Sequence, residues 1–157
     1  MSDVISTYLQ DHHAGSAAGL DAFRRVASSH GDPHVREEVA RLAEQVEQDQ
    51  RSLESVMESV GVKPSTLKDL PARAGEKLGR LKLNERITSR SPLSDVDELE
   101  VLILAAEGKA LLWALLGQLD DSRLDPEELG RLHERALEQA KQLNGLHLSQ
   151  AGKLTSS

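Results

Sequence analysis

The chain predicts an all-α fold, a four-helix bundle with one long, partly helical crossover between its second and third helices. Three observations carry this reading. Apolar residues recur at alternating four- and three-residue spacing along long stretches, the seam of a packed helix. Asp-Pro pairs at Asp32-Pro33 and Asp125-Pro126 mark helix starts, with Asp as the cap and Pro at the first helical position. Three of the five prolines (Pro64, Pro71 and Pro92) gather in the middle of the chain, where a long connection belongs.

The first helix is expected over about 3–28, with the seam Ile5, Leu9, His12, Ser16, Gly19, Phe23 and Val26. HGDP then closes a tight hairpin, with Gly31 as a left-handed cap. The second helix follows over about 33–60, with the seam Val35, Val39, Leu42, Val46, Asp49, Leu53, Val56 and Val60. One member, Asp49, is wrong for a dry core. Residues 61–93 form the crossover, with Ser65 or Thr66 capping a shorter helix that reaches about Leu83. The third helix is expected over about 94–119 and the fourth over about 126–150. The interior of the third, VLILAAEGKALLWALLGQL, is apolar nearly all round. Such a helix is buried on several sides or packs its spare face on another subunit, which makes it a candidate homodimer surface.

Composition narrows the function. At 157 residues the chain is read as a single domain, 1–157. Aromatics are 2 %, only Tyr8, Phe23 and Trp113, too few for a base-stacking platform. A formal charge of −7 argues against nucleic acid as a partner. Without cysteine there are no disulfides, thiolate metal sites or Cys nucleophiles. The start, MSDVISTYLQD, does not read as a signal peptide, and the longest apolar run is far short of a membrane span. A cytoplasmic location and no membrane partner are the expectation. The segment 63–90 holds eight basic residues against three acids and so carries +5. It either complements an otherwise acidic bundle or offers a surface to an anionic partner.

A helix of about 28 residues is about 42 Å long. A crossover of that span returns the chain to its starting end and sets the third helix parallel to the second. One long crossover amid four helices is the layout of ferritin-like bundles. Counting from the two tight turns places His12, Asp49, Glu107 and His133 near one height, one from each helix. On the third helix Glu107 lies on the stripe Val96, Glu100, Ile103, Glu107, Ala110, and Lys109 is the one other charged residue between Val101 and Leu119. A buried carboxylate there must be paired, protonated or metal-bound. His147 is expected beside Glu100. Imidazoles and carboxylates from facing helices suit first-row metals, so one iron, manganese or zinc ion is the candidate cofactor. The competing reading is a hydrogen-bonded network that sets helix register. Glu47, Glu100 and Asp11 are secondary ligand candidates, and His13 flanks the seam. The small seam residues Gly15, Ser16 and Gly19 mark either a close approach of another helix or a third candidate site, a small-molecule pocket. No HExxH, phosphate loop or GxSxG is present, and no catalytic residue is assigned.

With YLQDHHAG in the first helix, GEKLGRLKLNERI and SPLSDVDELE about the crossover, and EGKALLW in the third helix, the chain resembles a family of small actinobacterial ferritin-like four-helix proteins. The resemblance covers roughly residues 5–120, and the fourth helix matches more loosely. It implies the fold and implies no activity. Di-iron members of the wider fold carry Glu-x-x-His on two helices. This chain has no Glu-x-x-His: Glu44 is followed at that spacing by Glu47, and Glu138 by Lys141. The expectation is therefore a non-catalytic structural or interaction module with a polar core layer. The alternative is a metal-binding protein or metal-dependent oxidoreductase with a degenerate site.

Overall fold

The computed structural model describes residues 2–64 and 90–156. Most of the basic crossover, with its expected short helix, lies outside them. The described chain forms four long helices: α1 Asp3–Ser29, α2 Pro33–Ser59, α3 Pro92–Leu116 and α4 Pro126–Leu148. A short 3₁₀ helix, Ala151–Leu154, follows α4.

Each start is capped by a side chain that accepts an orphan N–H of the first turn. Ser2 caps α1, Asp32 caps α2, Ser91 caps α3 and Asp125 caps α4. Pro33, Pro92 and Pro126 follow three of these caps. The third helix therefore begins at Pro92, two residues before the expected boundary, because Ser91-Pro92 repeats the two Asp-Pro signals.

The hairpins α1–α2 and α3–α4 pack side by side, with α1 also against α3 and α2 against α4. Contacts at the helix ends give the directions. The turn after α1 meets the start of α3, through His30 Nε2 and the Asp95 carbonyl at 3.1 Å. At the opposite end Arg123, in the α3–α4 turn, reaches the Val60 carbonyl beyond α2 at 3.3 Å. Gln150 returns to Asp32 at 3.2 Å. Hence α1 runs antiparallel to α2 and α3, α4 runs antiparallel to α2 and α3, and α2 and α3 are parallel across the diagonal.

Asp95 fastens the first of these ends. Its carboxylate accepts the Gly31 N–H at 3.1 Å and pairs with Arg90, which also binds Glu98 at 2.8 Å. His30 is wholly buried beside it. Its Nδ1 accepts the Asp32 N–H at 3.0 Å, so Nε2 carries the proton and donates to Asp95. The expected left-handed conformation at Gly31 is not adopted. Gly31 is needed for another reason, since a Cβ there would run into the Asp95 carboxylate. The positive φ belongs to Gly61, at +75°, which ends α2. There Val62 N–H bonds the Met57 carbonyl and Gly61 N–H the Glu58 carbonyl.

The core divides into two clusters. One, near the α1–α2 turn, is built on Phe23, Val39, Leu42, Leu99, Leu102 and Leu143. The other, near the α3–α4 turn, is built on Leu9, Leu53, Met57, Trp113, Leu116 and Leu132. On α2 the boundary falls between Val46 and Leu53, where Asp49 is buried.

Gly31→Ala is expected to lower unfolding stability by about 1–3 kcal/mol, because the Asp95 carboxylate is already held on two sides. Gly130→Ala, on an exposed turn of α4 where a Cβ meets nothing, is expected to raise it by about 0.5–1 kcal/mol. Urea denaturation of both variants checks the pair.

Candidate functional site

The boundary between the two apolar clusters is held by charge. Asp49 is 3 % exposed. Its Oδ2 accepts from Lys109 Nζ on α3 at 2.7 Å and from Gln139 Nε2 on α4 at 2.9 Å. Arg135 Nε, also on α4, lies 3.3 Å from Oδ1, an ion pair without hydrogen-bond alignment. The second acceptor for Lys109 is Gln139 Oε1. Gln139 Nε2 also reaches Gln45 at 3.2 Å, and Arg135 donates to the Gln45 carbonyl at 2.8 Å. Three helices are thus joined through one carboxylate.

Helical spacing explains the arrangement. Gln45 and Asp49 are four apart on α2, as are Arg135 and Gln139 on α4, so each pair shares a face. The antiparallel course sets the two pairs opposite one another. Burial pushes the Lys109 ammonium below its ordinary pKa, and nearby Arg135 adds to this, while Asp49 pulls it back up.

The first helix completes this level with space where the others place polar groups. A cavity of about 290 Å³ opens between α1, α2 and α3. On α1 it is bordered by the seam residues His12, Ser16 and Gly19, and on α3 by Lys109 and Trp113; Asp49 lies in its wall. Its lining is mostly apolar. Gly15, Ser16 and Gly19, where the sequence left close helix packing and a pocket as alternatives, border this cavity. His12 stands edge-on to Tyr8 at 4.7 Å, and burial holds its imidazole below the ordinary pKa, with Asp11 opposing.

The four-residue layer His12, Asp49, Glu107 and His133 is not brought together. Asp49 and His12 border the cavity, at the height expected. Glu107 is exposed on α3. His133 is half-buried, with Nδ1 2.9 Å from the Ala110 carbonyl. The stripe chosen on α3 is one step round from the buried one, which runs Leu99, Leu102, Ala106, Lys109, Trp113, Leu116. A helix apolar on all sides gives no direction from which to tell the two apart. Of the secondary candidates, Glu47 pairs with Arg24 and Arg51, both at 3.3 Å. Glu100 meets His147 at 3.0 Å, as expected from their heights. Asp11 is exposed beside His12. His13, read as a flanking residue, is buried instead, with Nε2 3.0 Å from Glu54.

Sequence reasoning missed Lys109, Arg135 and Gln139. The signal for Lys109 was present: it is the other charged residue in the apolar stretch, and a seam carboxylate calls for a cation at its own height. Among the described residues no three His, Asp or Glu side chains converge as metal ligands. The Lys109 ammonium occupies the place beside Asp49 that a metal's charge would take.

The chain matches no family model, no curated protein and no solved structure. Its class, a four-helix bundle built about a buried charged layer, rests on its own geometry. Among the described residues no helix is long and apolar enough to cross a membrane.

Asp49→Ala is expected to cost about 3–5 kcal/mol, since it leaves two cations facing the core without their carboxylate. Glu107→Ala is expected to change stability by no more than about 0.5 kcal/mol. Denaturant titration at neutral pH separates the two. The His12 imidazole has a folded-state pKa below the unfolded 6.5. The unfolded chain therefore takes the proton first, and stability is lost as pH falls through 6.5 toward the folded-state value. His12→Gln is expected to flatten that fall, read as unfolding free energy at about pH 7.5 and about pH 5.5.

Proposed function

We propose that this chain is a ferritin-like, non-catalytic interaction module that pairs with a second copy of itself through the outer face of α3. One observation carries the reading. Leu104, Leu111 and Leu115 are 67, 70 and 47 % exposed on one stripe of α3, with Gly108 among them. Their four-three-four spacing repeats the core seam on the side facing away from the core.

The stripe is its own complement. Set antiparallel about a two-fold axis, Leu104 faces Leu115 of the second copy and Gly108 faces Leu111. Gly108 has open space where a Cβ would stand, so it forms the hole for the Leu111 knob.

The charged layer at Asp49 has a structural part in this reading. It ties three helices of the bundle together and leaves the outer face to the partner. The alternative of an iron, manganese or zinc protein has no converging ligand set among the described residues to support it. The antiparallel hairpins and the parallel α2–α3 diagonal support the ferritin-like layout.

Light scattering of the native chain is expected to give twice the 17.1 kDa chain mass at about 0.1 mM. Leu111→Glu is expected to give the single-chain mass with its helical content kept. A native chain that stays monomeric at about 1 mM would remove the proposal.

A further inference from the structure

The cavity between α1, α2 and α3 touches the outer stripe at Gly108, which lines it, while Leu104, Leu111 and Leu115 do not. Its body is apolar, walled by Phe23, Val46, Leu53, Leu112 and Trp113. Lys109 borders it and supplies charge. An ammonium carries three N–H donors, and Lys109 gives two of them, to Asp49 and Gln139. Nearby, Asp49 is one carboxylate against two cations, Lys109 and Arg135. The cluster of Asp49, Lys109 and Arg135 sums to one positive charge; Arg135 does not border the cavity, and the exposed Asp11 carboxylate does.

We propose that this cavity binds a small monocarboxylate with an apolar body, its carboxylate at Lys109 and its tail against Trp113 and Phe23. Three features converge on that class. The lining takes a hydrocarbon tail, and the remaining Lys109 N–H takes an acceptor. An ammonium N–H bonds an anionic acceptor more strongly than a neutral one. Volume sets the size. A cavity of about 150 Å³ holds a benzene ring, so 290 Å³ takes roughly twelve heavy atoms, the scale of octanoate. His12 stands at the same cavity, edge-on to Tyr8.

Trp113 is the chain's one tryptophan and lies in the wall, so its fluorescence reports occupancy directly. The native protein is titrated with octanoate, 1-octanol and octylammonium, with calorimetry alongside. Octanoate is expected to bind at one per chain and to shift Trp113 emission. Octanol is expected to bind at least about tenfold more weakly, and octylammonium more weakly still. Lys109→Met is expected to reduce octanoate affinity by about tenfold or more. Ser16→Leu, which fills the cavity from α1 and leaves the charged cluster whole, is expected to abolish binding. The Ser16 variant decides the location even if the Lys109 variant does not fold. No binding of octanoate at about 1 mM would overturn the proposal. So would equal binding of all three probes, preference for the amine, or full binding by the Ser16→Leu variant.

Discussion

A carboxylate sealed among packed helices needs donors at its own height, and Asp49 finds them on two other helices. Lys109 and Gln139 bond one oxygen, and Arg135 stands against the other. Removing charges from water is costly, and their attraction roughly offsets that cost, so the cluster adds little net stability over an apolar layer. Its effect falls on the alternatives. Slide α3 by a turn, and Asp49 faces Ala105 or Leu112 while Lys109 is stranded among apolar neighbours. A core of Leu, Val and Ala has few features of its own to forbid such a slip. One charged layer between two apolar clusters makes every other register expensive.

The helix ends repeat the logic with less burial. Asp95 joins the α1–α2 turn to the start of α3, and Arg123 joins the far turn to the end of α2. Gln150, wholly buried, ties the end of α4 back to the Asp32 cap. Each contact fixes height as well as adjacency. Together with the central layer they set three levels along the bundle, and the apolar clusters fill the lengths between. The cavity follows from the same plan. On α1 the cavity is bordered by the small seam residues Ser16 and Gly19, with Asp11 and His12 beside them.

The helices were legible from spacing and caps, because both are local. Asp32-Pro33 and Asp125-Pro126 set two starts correctly. Ser91-Pro92 carries the same signal, though the third start was expected at Ser94 or Asp95. The height of the polar layer was also legible, because tight turns allow heights to be counted across a hairpin. The identity of its members was not. α2 is strongly one-sided, so Asp49 was found. α3 is apolar all round, so Glu107 and Lys109, two residues and 200° apart, competed for the inner face with no local feature to choose between them. Tertiary pairing decided, since Asp49 needs a cation. Arg135 and Gln139 were invisible for a related reason: on a polar helix they look like surface residues until the antiparallel partner is in place.

The central claim is that Asp49 and Lys109 act as one unit across α2 and α3. A double-mutant cycle with Asp49→Asn and Lys109→Met, followed by urea unfolding, measures this directly. The account predicts that the two losses fall short of adding by at least about 1.5 kcal/mol, because the second change removes a charge already left without its partner. Losses that add to within about 0.3–0.5 kcal/mol would contradict it.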